Sequence, residues 1–169
     1  LVFGTIFHIA AFLGCLFALH VRDPWQQVSG LVYGGSTIGA VFAGDLITLF
    51  VFWELVAFSS TFLILANRSR EGYRGALRYL LVQLVSGLLV VGGAALRHAH
   101  TGTWAFDAMS LGDPGTWLIF LGFGIKCGWP LLHTWIVDGY PEATPTGAVF
   151  LSAFTTKLAV YALARGFAG

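Results

Sequence analysis

The sequence predicts an all-α integral membrane protein with about six transmembrane helices. Hydrophobic residues make up 57% of the 169 residues and charged residues only 10%, whereas soluble domains carry about 25% charged residues. Apolar stretches of membrane length alternate with short polar connections, and no useful length of strand-like alternation interrupts them. A soluble globular protein is excluded, because this composition would leave a large apolar surface in water.

Six segments approach the roughly 20 apolar residues that a spanning helix needs. The second is the shortest and is rich in glycine, so its ends are the least defined. The expected helices are Leu1–Val21, Val28–Ala43, Leu46–Ala66, Ala76–Arg97, Thr116–Val137 and Thr146–Arg165.

Arginines concentrate at one end of this predicted bundle. Cytoplasmic loops of membrane proteins carry an excess of Lys and Arg, so the arginine-rich end is expected in the cytoplasm. The turn Gly44-Asp45 and the long loop His98–Gly115 are then expected outside. The arginine-rich end receives Arg22, Arg68, Arg70 and Arg74, with Arg78 close by, against Arg97 and Arg165 at the other end.

Cys15 and Cys127 lie inside apolar stretches and lack the spacing of metal ligands. They are expected to be small packing residues rather than a disulfide. The chain begins at Leu1 with no basic segment before its first apolar run, so a cleavable signal is not expected. Both ends look cut, and we expect a fragment of a longer protein.

Three ionisable residues, Glu54, Lys126 and Lys157, lie near the middle of three separate apolar stretches. A charge at the centre of a membrane helix costs about 2.5–3.5 kcal/mol. Burial favours the neutral form of a lysine, and a nearby carboxylate favours the charged form. A glutamate that approaches and leaves Lys126 would therefore make it take up and release a proton, with Lys157 as the next acceptor. The alternative is a static ion pair between Glu54 and Lys126.

The fifth helix is expected to break beside Lys126. Pro130 has no N–H, so the carbonyl of Lys126 loses its helix hydrogen bond. Three glycines, Gly122, Gly124 and Gly128, loosen the same turns. Broken helices beside ionisable groups are typical of ion-coupled transporters. An ordinary proline kink is the alternative.

His133 follows Lys126 by about two helical turns, which would place both residues on one helix face. A histidine there suits proton relay, because its ordinary pKa is near 6.5. The alternative is a hydrogen-bonded packing residue. Several polar side chains in neighbouring helices could bind water or bond backbone carbonyls. These are Gln83, Ser86, Ser152, Thr155 and Thr156.

Two segments carry a family resemblance. GDLITLFVFWEL (Gly44–Leu55) resembles the acidic-helix signature of antiporter-like proton-translocating membrane subunits. GFGIKCGWPLLHTWIVDGYPEATPTGAVFLSAFTTKLAVYALAR (Gly122–Arg165) resembles their lysine helix and the helix after it. Respiratory complex I (NADH–quinone oxidoreductase), Mrp-type cation/proton antiporters and membrane-bound hydrogenases share this family. The resemblance covers about Val28 to the end of the chain.

The resemblance implies roles for four residues. Glu54 matches the key glutamate, Lys126 its partner lysine in the broken helix, Lys157 the central-pathway lysine, and His133 the histidine of a Pro-Leu-His motif. The family core has two inverted five-helix repeats. Residues 28–169 would form the first repeat, and residues 1–27 a preceding helix and loop.

The implied function is proton translocation within a multisubunit cation/proton antiporter, with resemblance to the D-type subunits of Mrp complexes. One alternative is an antiporter-like subunit of NADH–quinone oxidoreductase or hydrogenase, which would translocate protons without its own redox site. Another is a structural subunit with a static ion pair. Expected partners are the lipid bilayer, other membrane subunits, protons and, for an antiporter, sodium; no nucleic acid, cofactor or metal is expected. The expected location is the bacterial plasma membrane, as a multi-pass protein.

The residues Cys127, Gly128 and Trp129 depart from the Pro or Phe pairs that often follow the family lysine. The loop from Val137 to Pro145 also differs from the usual family loop. These departures bear on the subfamily rather than on the family.

Overall fold

The computed structural model describes residues 1–168, which form a bundle of seven α-helices. In this part of the chain the strand-type pairing is confined to an isolated bridge between Asp45 and Ala105. The all-α prediction is confirmed. Gly169, the last residue of the expected repeat, lies outside the described residues. The helices are α1 (Val2–Ala18), α2 (Pro24–Phe42), α3 (Leu46–Leu65), α4 (Arg70–Thr101), α5 (Thr116–Cys127), α6 (Thr134–Gly139) and α7 (Pro145–Phe167), with a 3-10 turn (Tyr140–Glu142) before α7.

Three helices, α3, α4 and α7, are long and apolar enough to cross a membrane. α1 and α5 are apolar but shorter. α2 has 19 residues, but Gln26, Gln27 and a series of Ser, Thr and Gly residues lower its hydropathy. Its position between longer apolar helices, rather than its own composition, places it in the bundle. These helices make the chain a multi-pass membrane protein.

Side-chain caps set where the helices begin. Asp23, Asp45, Ser69 and Thr144 each accept a hydrogen bond from a backbone N–H in the first turn of α2, α3, α4 and α7. Such caps satisfy N–H groups that have no partner inside the helix. Because Ser69 caps it, α4 starts before the apolar stretch and reaches 32 residues, longer than the expected Ala76–Arg97.

Contacts between loops confirm the predicted alternation of helix directions. At one end, Leu46 N–H donates to the Trp104 carbonyl (2.8 Å) and Phe106 N–H donates to the Gly44 carbonyl (3.0 Å). At the other end, Arg68 pairs with Asp23 at 3.3 Å. The 44–45 turn and the 98–115 loop therefore share one end of the bundle. The cytoplasmic position of the arginine-rich end stays a prediction.

Glycines bring α4 and α5 into close contact. A Cβ on Gly93 would lie 2.5 Å from the Gly115 carbonyl oxygen, and one on Gly122 would lie 2.8 Å from the Ser86 carbonyl oxygen. Small residues allow such backbone approach in membrane helices. As a result, Ser86 of α4 lies against α5, where its hydroxyl donates to the Gly122 carbonyl.

Cys15 and Cys127 are free, half-buried thiols, as predicted from the sequence.

Apolar side chains also cover much of the outer surface, above all on α1. A lipid or protein environment is required for the outward face of α1, because water would not solvate it. Its exposed apolar residues are Val2, Ile6, Ile9, Phe12, Leu13, Leu16 and Phe17.

The Asp45 cap provides a test of the α3 start. Its carboxylate accepts hydrogen bonds from the Thr48 backbone N–H (2.8 Å) and hydroxyl (2.7 Å), which lower the pKa of Asp45 below its usual range. We expect Asp45→Ala to reduce the free energy of unfolding by about 1 kcal/mol, whereas Asp45→Asn keeps most of the cap. Thermal unfolding of the detergent-solubilised protein would measure both.

The pH dependence follows from the lowered pKa. The stabilisation by ionised Asp45 is present above the usual aspartate pKa and is lost as the pH falls through the lower value of the folded state. Asp45→Ala should therefore lose less stability on acidification than the unmodified chain. Equal acid sensitivity of the two proteins would contradict this assignment.

Candidate functional site

The helix that carries Lys126 is broken, as predicted. α5 ends at Cys127, Gly128 adopts a left-handed conformation (φ 80°), and helix resumes only at Thr134 in α6. The Trp135 indole N–H donates to the Ile125 carbonyl at 3.0 Å. The Ile125 carbonyl also accepts the Gly128 backbone N–H at 3.1 Å, so the indole adds a second bond, which ties α6 to the last turn of α5.

Lys126 is fully buried, with 0% of its surface exposed. Its Nζ donates to the Trp53 backbone carbonyl at 2.9 Å and lies 4.4 Å from the centre of the Trp53 ring. Both contacts favour a cation, the second through the ring's negative face. One residue of α3 therefore holds the amine, next in sequence to Glu54.

The Trp53 side chain is itself held by a hydrogen bond to α4, which continues from there to α5. Its indole N–H donates to Ser86 Oγ at 3.0 Å, and that hydroxyl donates to the Gly122 carbonyl at 2.7 Å. The Trp53 ring also packs against Phe123, with ring centres 5.0 Å apart. Elements α3, α4 and α5 thus meet around the amine. We call Trp53, Glu54, Ser86 and Lys126 the lysine cluster.

Glu54 is half-buried, and its Oε1 is buried without a hydrogen-bond partner. The carboxylate lies directly against α4, because a Cβ on Gly87 would fall 1.6 Å from Oε1 and 2.8 Å from Cδ. Glu54 forms no ion pair with Lys126 within 4.0 Å in the described chain. The acid is therefore close to the residue that holds the amine, without direct contact between the two charges.

Lys157 is not part of this cluster. Its side chain is exposed on α7, and its Nζ donates to the Ser152 carbonyl of the same helix. The structure brings Lys126 and Glu54 to one place and leaves Lys157 on the outer surface of the described chain.

His133 is also exposed and immediately precedes α6. The expectation that it shares a helix face with Lys126 is wrong, because α5 ends at Cys127 and the intervening residues are not helical. A relay between the two residues would therefore have to run across the break and not along one helix.

A second polar group, the hydroxyl cluster, consists of Tyr33, Ser60, Tyr79 and Thr155, each 0% exposed. The Tyr79 hydroxyl bonds Ser60 Oγ at 2.8 Å and Thr155 Oγ1 at 3.5 Å. The Tyr33 hydroxyl bonds Thr155 Oγ1 and accepts the Thr155 backbone N–H at 3.0 Å. These bonds connect α2, α3, α4 and α7 through a continuous set of hydroxyls.

The sequence pattern pointed to Thr155 but not to the other three hydroxyls, nor to Trp53 and Gly87. One signal was available: Tyr79, Gln83 and Ser86 recur at helical spacing and form a polar stripe on α4. Gly87 gave no such signal, because its role depends on a contact with another helix.

Comparisons with known proteins agree with this architecture. Residues 43–168 match the family model described as NADH:quinone oxidoreductase/Mrp antiporter, transmembrane. The chain is 31% identical over 147 residues to the A-type Na(+)/H(+) antiporter subunit of Alkalihalophilus pseudofirmus, covering 80% of this chain and 18% of the relative. It is 31% identical over 153 residues to the D-type Na(+)/H(+) antiporter subunit of Bacillus subtilis, covering 85% and 31%.

Among solved structures, a chain of the Mrp complex from Dietzia sp. DQ12-45-1b superposes with a TM-score of 0.83 and 26% identity, covering 94% of this chain and 32% of that chain. The chain thus spans less than a third of the length of the curated relatives it matches. The family match covers most of the chain, includes both Glu54 and Lys126, and confirms the resemblance seen in the sequence. The chain belongs to the NADH:quinone oxidoreductase/Mrp antiporter family of membrane subunits.

Proposed function

We propose that this chain belongs to a proton-translocating subunit of a multisubunit cation/proton antiporter. Lys126 is the central group that takes up and releases protons. The observation that carries the proposal is a fully buried lysine amine, near a carboxylate that has an unpaired oxygen and beside a broken helix. The matched relatives named Na(+)/H(+) antiporter subunits support the choice of class. We place the first five-helix repeat in residues 28–169 and a preceding helix and loop in residues 1–27.

The proposed chemistry is an exchange of a proton at Lys126 Nζ. The last turn of α5 offers carbonyls without helix partners, and the negative end of its dipole favours the charged amine. Movement of the Glu54 carboxylate towards Nζ would stabilise the charged form further, and movement away would favour release of the proton. Because no direct ion pair holds the two groups together, this movement breaks no strong contact.

Lys157 is proposed as the next proton acceptor, with His133 as a relay. A charged lysine at membrane depth does not face lipid without a large cost. Its exposed position on α7 therefore supports coverage by protein beyond this chain, from the same polypeptide or from a neighbouring one. Transfer from Lys126 to Lys157 would then depend on polar groups or water in the assembled complex.

An antiporter-like subunit of NADH–quinone oxidoreductase is the second candidate, because the matching family model covers both kinds of protein. The roles of Lys126 and Glu54 would be the same, with redox chemistry in partner subunits. A purely structural ion pair is less well supported, since Glu54 and Lys126 make no direct ion pair.

Replacement of Lys126 tests the central role. We expect Lys126→Met, which keeps the length of the side chain but removes the amine, to reduce coupled proton flux by about 100-fold or more. Flux would be measured with a pH-sensitive dye in membrane vesicles carrying the native assembly, and protein levels by immunoblot. Leu121→Met on the outer face of α5 is the matched control. Wild-type flux in a fully assembled Lys126→Met protein would overturn the proposal.

Glu54 is tested by a pair of substitutions. Glu54→Gln retains the shape but cannot ionise, so we expect flux to fall by about tenfold or more. Glu54→Asp keeps the charge and should retain part of the flux. If both variants transported at the same rate in the vesicle assay, Glu54 would have no titrating role.

Gly87 is tested by adding a single methyl group. Gly87→Ala places a Cβ where the Glu54 carboxylate now lies, so the acid must move away and flux should fall by about tenfold. Gly92→Ala on the same helix is the control, because nothing lies within 4 Å of its added Cβ and alanine favours helix by up to about 1 kcal/mol. Equal flux in the two variants would contradict the positioning role of Gly87.

A further inference from the structure

Gln83 is a buried amide that uses none of its hydrogen-bonding capacity within the described chain. It lies on α4 with 0% of its surface exposed, and both Nε2 and Oε1 are buried without a partner. Nearly all buried polar side chains have at least one partner, from protein or ordered water. An amide that can donate two bonds and accept two therefore indicates a polar neighbour outside the protein's own atoms.

The position of Gln83 lies between the two polar clusters. One helical turn before it, Tyr79 belongs to the hydroxyl cluster; about one turn after it, Ser86 belongs to the lysine cluster and Gly87 contacts Glu54. These residues share one face of α4, because three and four residues make about one turn.

The hydrogen bonds between α3 and α4 also place Gln83 between the two clusters. Ser60 of α3 bonds Tyr79, whereas Trp53 bonds Ser86. Since α3 and α4 run in opposite directions, Gln83 lies opposite the turn of α3 between these two contacts, where Ala57 is a small residue. The amide thus occupies the stretch of the interface in which the described residues make no direct hydrogen bond between the clusters.

The helical spacing of these residues suits bridging water. One turn of helix rises about 5.4 Å, which is close to two consecutive hydrogen bonds through one water molecule. An amide can accept from a water on one side and donate to a water on the other. The amide neither gains nor loses a proton in doing so; it only holds and orients the waters.

We propose that Gln83 positions water molecules that join the lysine cluster to the hydroxyl cluster, which creates one hydrogen-bonded path from Lys126 through Tyr79 to Thr155 on α7. This inference rests on the proposed function, because it assigns a route to the proton exchanged at Lys126. The first water accepts a proton from Lys126 Nζ, and each following water or hydroxyl accepts a proton from one neighbour and donates another to the next. Nζ therefore loses one proton, and the number of protons in the path itself is unchanged. Gln83 is a positioning residue in this scheme.

The route has a direction in the fold. Tyr79 lies in the first third of α4 and Ser60 in the last third of α3, so the hydroxyl cluster is closer than Lys126 to the end of the bundle that holds Arg68 and Arg74. The path therefore leads from the lysine cluster towards the arginine-rich end. It also reaches α7, the helix that carries Lys157.

The test uses the native membrane assembly and four variants in the vesicle flux assay. Gln83→Met keeps the side-chain length but cannot hold water, and should lower flux at least tenfold. Gln83→Asn keeps the amide, and an additional water can make up its shorter reach, so it should recover most of the flux. Tyr79→Phe removes only a hydroxyl and should also lower flux. Leu88→Met, on the exposed face of α4, should transport normally.

A double variant distinguishes a shared path from separate effects on packing. If Gln83 and Tyr79 act on one route, Gln83→Met combined with Tyr79→Phe should lose no more flux than the worse single variant. If the flux losses of the two single variants multiplied in the double variant, the inference would be overturned. Equal flux losses in Gln83→Met and Gln83→Asn would also overturn it. Wild-type flux in Tyr79→Phe would overturn it even if Gln83→Met failed to assemble.

Failure of this inference is distinguishable from failure of the proposed function. An inactive Lys126→Met together with fully active Gln83→Met and Tyr79→Phe would remove the route but keep Lys126 as the exchanging group. An active Lys126→Met would remove both.

Discussion

The fold around the site depends on one interaction, the hydrogen bond from the buried Lys126 amine to the Trp53 carbonyl. A buried amine without a partner would be strongly unfavourable, so α5 and α3 must approach closely enough to supply one. The Trp53 side chain then reaches Ser86, which in turn bonds Gly122 on α5. A single amine and the residue that holds it therefore link three helices at the site.

Several features of this arrangement were available from the sequence. The depth of Glu54 and Lys126 in apolar stretches predicted their importance, and Pro130 with its neighbouring glycines predicted a break. The break begins at Gly128, before the proline, because glycine accepts the left-handed conformation that ends the helix. Local chemistry was sufficient for these predictions because each depends on residues close together in the chain.

Other features depend on contacts between distant segments. The face of α7 that carries Lys157 could not be predicted from depth alone, since apolar residues occur on both the inward and outward sides of that helix. The expected alignment of His133 with Lys126 assumed a continuous helix and failed where the helix ended. Gly87 is informative only once α3 is packed against α4, because its importance lies in the space taken by Glu54.

The indole bond from Trp135 to the Ile125 carbonyl has a consequence for chain length. It joins the short helix α6 to the last turn of α5 across the non-helical residues 128–133. The reach of this bond sets how many residues that connection can hold. An insertion or deletion there would pull the indole away and leave the buried Trp135 N–H without its acceptor, so this loop should tolerate substitution far better than a change in its length.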